Sequence, residues 1–138
     1  MTLNIALMTD EKKQELMTQF CIAYCGILAK HTLCATNTTG NVIKEATGLD
    51  ISLFLSHEHG GCQQIGTRIS YNDMVFFFTD PGNPAYEEDL HYICRLCDQN
   101  NVPIATNLGT AEMLIQGLAR GDLDWRNILY PRNSQFLL

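Results

Sequence analysis

Leu33-Cys34-Ala35-Thr36-Asn37-Thr38-Thr39-Gly40-Asn41 reads as a short apolar strand that runs into three hydroxyls and a glycine, and then into a segment of helical character ending near Thr47. A strand followed by a polar loop and a helix is the repeating unit of an α/β fold. It also sets hydroxyl groups beside the N–H groups of a first helical turn, which have no partner inside the helix and point at any anion bound there. Thr36, Asn37, Thr38 and Thr39 are therefore candidate phosphate-binding residues; the alternative is simple N-capping by Thr38 or Thr39.

The same unit recurs on both sides of this stretch. Apolar runs bounded by turn residues predict strands at Asn4–Met8, Leu33–Ala35, Ser52–Leu55, Met74–Phe78 and Pro103–Thr106. Between them, Asp10–Ala29, Thr39–Thr47, Gly60–Tyr71, Tyr86–Asn100 and Thr110–Ala119 have the lengths and polar faces of helices. Strict alternation predicts a single three-layer α/β domain over residues 1–138, built on a central, mostly parallel five-stranded sheet. Ligands then collect at the carboxyl ends of the strands.

Composition narrows the function classes. A 46% hydrophobic and 17% charged chain is an ordinary globular one, which argues against disorder and fibrous repeats. A net charge of −6 and the lack of a basic stripe argue against nucleic acid as a partner. The apolar run Met74-Val75-Phe76-Phe77-Phe78 is far shorter than the ~20 residues needed to cross a bilayer, and the N-terminus has no secretory pattern. A cytoplasmic location is expected, with Cys21, Cys25, Cys34, Cys62, Cys94 and Cys97 as reduced, mostly buried thiols. Cys94 and Cys97 form a C-x-x-C late in a helix, where the dipole opposes thiolate formation; core packing is the better reading.

The remaining loops supply the chemistry. Asp10 can cap the first long helix, with Lys12 and Lys13 in its first turn and Lys13 turned to the strand edge. Ser56-His57-Glu58-His59-Gly60-Gly61-Cys62-Gln63-Gln64 is the richest loop. Its glycines place Cys62 at a helix start, where a partly ionised thiol is expected. His57, His59 and Cys62 offer zinc-type donors, but their spacing is not that of a recognised site, so no metal or other cofactor is expected. Thr79-Asp80-Pro81-Gly82-Asn83-Pro84-Ala85-Tyr86, with two prolines and a glycine, has the stiffness of a pocket wall.

Together, Ile5-Ala6-Leu7, Ala35-Thr36-x-Thr38-Thr39-Gly40-Asn41, Gly60-Gly61-x-Gln63-Gln64, Asp80-Pro81-x-Asn83 and Pro103-x-Ala105-Thr106-Asn107 resemble the methylglyoxal synthase family, in order and over nearly the whole chain. The resemblance implies elimination of phosphate from dihydroxyacetone phosphate, through an enediolate and without a metal. It implies a small phosphorylated metabolite as ligand, held by Lys13, Thr36, Asn37, Thr38, Thr39, Ser56 and His57. It also implies homo-oligomers, commonly hexamers, in which a tail arginine such as Arg132 reaches the neighbouring phosphate.

Two positions central to the family's chemistry are replaced. Where the family has its aspartate base, after the paired glycines, this chain has Cys62. Where the family has a histidine near the carbonyl, a one-residue gap after Ala85 aligns Tyr86, and brings Asp89 and Arg95-Leu96 into register; without the gap the position falls on Glu87. Asp10 matches a family carboxylate, but the histidine that precedes it in the family is missing, and His57 stands where the family has glycine. Cys62, Tyr86, Asp89 and Asp10 are the candidate catalytic residues. The resemblance leaves three readings: a homologue of weak or altered lyase activity, a non-catalytic module sensing a phosphometabolite like the related domain of carbamoyl-phosphate synthetase, or a thiol-based reaction of Cys62 with His57 or His59.

Overall fold

The computed structural model describes residues 2–70 and 73–126. The elements follow the order β1 (Asn4–Thr9), a 3₁₀ turn (Glu11–Lys13), α1 (Gln14–Ala23), α2 (Cys25–Leu28), β2 (Thr32–Ala35), α3 (Asn37–Thr47) and β3 (Ile51–Leu53). A second 3₁₀ turn (His57–His59) then leads to α4 (Gly61–Gly66), β4 (Asp73–Phe78), a third 3₁₀ turn (Pro84–Tyr86), α5 (Glu87–Asn100), β5 (Ile104–Ala105) and α6 (Leu108–Arg120). The predicted alternation of strand and helix is what the chain forms. All strand pairings are parallel, in the order β3-β2-β1-β4-β5, so the expected five-stranded parallel sheet is present.

The sequence reading differs from the structure at several boundaries. The long helix expected over Asp10–Ala29 is broken at Tyr24, whose φ of −112° and ψ of 24° interrupt the helical path between α1 and α2. The third helix begins at Asn37, two residues earlier than expected, because Thr36 is still extended at φ −64° and ψ 155° and is itself the boundary. The helix expected from Gly60 to Tyr71 reaches only Gly66. Tyr71, the greater part of the tail and Arg132 lie outside the described residues.

The sheet is covered on both faces. Ile5, Leu7, Leu33, Ala35, Phe76 and Phe78 pack with Met17 and Phe20 of α1, Ile43 of α3 and Ile115 of α6. Ala6, Met8, Val75 and Phe77 pack with Cys62 and Ile65 of α4 and Ile93 and Cys97 of α5. β4 is buried along its whole length, as expected of a central parallel strand with helices on both sides. Each fully buried phenylalanine of that strand contributes about 1.5–3 kcal/mol of apolar transfer. Successive connections run from β1 outward to β3, then return past β1 to β4. The order of the strands thus reverses between β1 and β4, and the loops that leave their carboxyl ends flank the crevice where such sheets take ligands.

Candidate active site at the carboxyl edge of the sheet

Asp10 leaves the end of β1 and is completely buried. One carboxylate oxygen accepts from the backbone N–H of Lys13 at 3.0 Å, capping the first turn as expected from the sequence. The other accepts from the backbone N–H of Asp80 at 2.7 Å and from Nδ2 of Asn83 at 3.5 Å. A buried charge is tolerated only when its lone pairs are so matched. The result ties the loop after β1 to the loop after β4. Lys12 pairs with Asp80 at 3.2 Å; together with the N–H of Gly82, the first cause, this holds the Asp80 carboxyl below the usual carboxylate range. Lys13 makes no ion pair among the described residues and remains the free cation of this corner.

The loop after β2 closes against its neighbours on both sides. Thr39 is buried, and its hydroxyl meets that of Thr9 at 3.0 Å, joining α3 to the end of β1. The backbone N–H of Asn37 donates to the carbonyl of Leu55 at 3.4 Å, joining α3 to the loop after β3. Neither Thr38 nor Thr39 is the N-cap: both lie inside the first turn of α3, and Thr36, at the cap position, makes no side-chain cap bond. The simple capping alternative is thereby overturned. Asn37 spends its side-chain oxygen on Nδ2 of Asn41 at 3.1 Å, within the helix.

The loop after β3 depends on two glycines. Gly60 has φ +91°, a conformation costly for any residue with a Cβ, and a Cβ on Gly61 would collide with the backbone carbonyl of Leu55. Gly61 can therefore lie flat against the loop, at the start of the helix that carries Cys62. Oε1 of Gln64 accepts from the N–H of Leu55 at 2.8 Å and pins the same loop. Ser56 and His59 face one another at 2.8 Å, between Oγ and Nδ1, so His59 turns away from Cys62.

His57, Cys62, Tyr86 and Asp89 come together. The His57 ring stacks on that of Tyr86 with centroids 3.8 Å apart and planes 17° from parallel. Nδ1 of His57 lies 2.7 Å from Oδ2 of Asp89, and Nε2 of Gln63 donates to Oδ1 of the same carboxylate at 2.7 Å. The Cys62 thiol also bonds to Asp89. Burial pushes the Tyr86 phenol up to about 12, with Glu11, Asp10, Cys62 and Glu58 adding in that order, so its environment includes groups from the loops after β1 and β3.

The partly ionised Cys62 expected from the sequence is corrected. Cys62 is 1% exposed, and burial, followed by the charge and hydrogen bond of Asp89, pushes its thiol up to about 12. A helix of six residues offers little dipole against that desolvation. The thiol-based reaction with His57 or His59 loses its footing for the same reason, because a thiol held protonated at neutral pH is a poor nucleophile.

A search of known proteins finds the MGS-like domain family matching residues 19–106. Methylglyoxal synthase of Caldicellulosiruptor saccharolyticus is 55% identical over 134 residues, covering 94% of either chain. That of Geobacillus thermodenitrificans is 50% identical, covering 94% of this chain and 92% of the relative. The chain belongs to the methylglyoxal synthase family. The crystal structure of the methylglyoxal synthase of Elizabethkingia anophelis NUHP1 superposes with a TM-score of 0.72 at 31% identity, over 83% of this chain and 77% of that one.

Within a methylglyoxal synthase fold, the carboxyl edge described above joins the loops after β1, β2, β3 and β4 into one contiguous rim. Gln63 and Asn83 stand in the sequence only as motif positions; the structure shows each holding a carboxylate. Thr9, the partner of Thr39, was missed, and its only signal was a hydroxyl at a strand end. A cavity of about 240 Å³ lies elsewhere, beside the first residues of β1, β2 and β4 and lined by Asn4, Thr32, Cys34, Arg68 and Asp73, so it is no part of this edge. Among the described residues no helix is long and apolar enough to cross a membrane.

Proposed function

We propose that the chain binds a small phosphorylated metabolite at this edge and eliminates phosphate from dihydroxyacetone phosphate at a rate far below that of a family member with an aspartate base. The observation that carries the reading is Cys62, a thiol 1% exposed at the position where the resemblance puts that base. The family reaction needs a proton taken from the carbon beside the carbonyl, giving an enediolate that expels phosphate. A thiol protonated at neutral pH does not take that proton, and loss of a positioned general base costs about 10²–10⁴-fold.

The binding half of the reaction is better supplied. Lys13 makes no ion pair among the described residues, and the start of α3, with Thr36 at its cap and Asn37, Thr38 and Thr39 in its first turn, supplies backbone N–H groups and the Thr38 hydroxyl for an anion that Lys13 would share. Ser56 and His57 open the adjacent loop. Both oxygens of Asp10 are engaged by fixed donors, which suits it to holding Lys13 and the loop after β4 in place. His57, beside Asp89 and stacked on Tyr86, supplies an imidazole in a site whose resemblance-assigned histidine position holds Tyr86. Assembly as a homo-oligomer belongs to the same proposal.

The test mixes the purified chain, kept in chelator, with dihydroxyacetone phosphate and follows both inorganic phosphate and methylglyoxal. Slow formation of the two products in equal amounts, together with a rise in melting temperature on adding phosphate, supports the reading. Stabilisation by phosphate without any turnover instead identifies a phosphometabolite sensor, a role favoured by the same buried thiol. No stabilisation by phosphate or triose phosphate overturns both.

A further inference from the structure

His57, Cys62 and Asp89 each present one donor atom, a ring nitrogen, a sulfur and a carboxylate oxygen, and the three lie within 4.8 Å of one another. Of the zinc-type donors the sequence offers, the structure turns His59 to Ser56 and brings Asp89, from the first turn of α5, to His57 and Cys62. A second observation concerns the geometry. Nδ1 of His57 is buried and, although 2.7 Å from Oδ2 of Asp89, makes no hydrogen bond of acceptable direction. Two donor atoms that close, with no hydrogen bond between them, can serve a common centre once they part by about half an ångström, since tetrahedral ligands about 2.0–2.2 Å from a cation stand roughly 3.3–3.5 Å from one another.

We propose that His57, Cys62 and Asp89 form a three-ligand site for a divalent cation of the zinc class. One nitrogen, one thiolate and one carboxylate suit a borderline cation and leave the fourth tetrahedral position open, the pattern of catalytic rather than structural zinc. Binding exchanges the Cys62 proton for the cation and releases that proton to water, so the buried carboxylate and thiolate are together neutralised by the two positive charges.

The surroundings hold the ligands as such a site requires. Gln63 takes Oδ1 of Asp89 and leaves Oδ2 to the centre, while the Tyr86 ring fixes the plane of His57 by stacking. The cation would use the same atoms as the His57–Asp89 contact, so a loaded chain and a bare one differ chemically at this edge. The proposal does not depend on the triose phosphate reading.

Cobalt(II) serves as the probe, added to the chelator-treated full chain, with zinc as competitor. The expected result is uptake of one cobalt per chain with a near-ultraviolet thiolate-to-cobalt absorption, removed by zinc and absent in Cys62→Ser. His57→Gly, at a half-buried loop position and therefore a safer fold than a core change, is expected to weaken uptake at least 10-fold. Gln63→Ala, which only positions Asp89, is expected to weaken it about 10–100-fold while the absorption keeps its shape. Circular dichroism confirms that each variant is folded. No uptake by the folded chain overturns the proposal, as does an absorption that survives Cys62→Ser, which would place the cation on other thiols such as Cys94 and Cys97. Stabilisation by phosphate is measured separately, so failure of the cation site and failure of the phosphate site give distinct results.

Discussion

At the residue scale, Cys62 decides what the site can do. It is buried in the apolar cluster of Ala6, Met8, Ile65, Val75, Phe77 and Tyr86, and its polar partner is a carboxylate, which opposes a second negative charge. In the absence of cation, Cys62 is expected to be alkylated by iodoacetamide at neutral pH at least 10-fold more slowly than a free thiol, and at the ordinary rate once the chain is unfolded; peptide mass spectrometry reads both. Returning a carboxylate to this position tests the catalytic half of the argument. Cys62→Asp is expected to raise turnover of dihydroxyacetone phosphate by about 10²-fold or more, the usual worth of a positioned base. An unchanged rate in the folded variant would mean that the limit lies elsewhere, in Tyr86 or in the missing histidine.

At the element scale, the site is a set of loops tied by single residues. Asp10 is the clearest tie, since its two oxygens serve the first turn after β1 and the loop after β4. Asp10→Ala leaves buried N–H donors unmatched and is expected to cost about 1–3 kcal/mol in a urea titration. It is also expected to weaken stabilisation by phosphate, because Lys13 loses its anchor. Gly61→Ala forces a Cβ into the carbonyl of Leu55, and with no flexible group to yield, the expected cost is about 1–3 kcal/mol.

These ties explain how far the chain could be read unaided. The strands are legible because alternation with helices and short apolar runs are local properties, as at Met74–Phe78. The start of α3 was misjudged because Thr36, Asn37, Thr38 and Thr39 are all plausible caps, and the choice among them depends on backbone angles. The pairing of His57 with Asp89 was not legible at all. It joins the turn that follows β3 to the start of α5, the helix that follows β4; β3 and β4 are separated in the sheet by β2 and β1, and only the packed fold sets that distance.

At the scale of the whole molecule, the thiols on both faces of the sheet link stability to pH. Cys21 lies in the cluster with α1, Cys97 in the cluster with α5, and Cys34 packs against the latter. Burial raises Cys21 and Cys97 to about 12 and Cys34 to about 11, against about 8.5 for a cysteine in an unfolded chain. The folded chain thus holds these protons more tightly than the unfolded one. The stability linked to them is fully present below about pH 8.5 and is lost as pH rises through 11 to 12. On the acid side, His31 acts with opposite sign. Its Nδ1 accepts from the N–H of Leu3 at 3.0 Å, which only a neutral ring can do, and burial holds its pKa below the ordinary value. Its contribution is present above about 6.5 and fades as pH falls through that lowered value. Melting temperature is therefore expected to be highest between these limits and to fall steeply above pH 9. Cys21→Ala, far from the carboxyl edge, separates this cause from general alkaline damage: it should melt lower than the parent at neutral pH, from the cavity it leaves, yet lose less with each step of rising pH. Equal alkaline slopes for the two proteins would show that thiol ionisation does not set the limit.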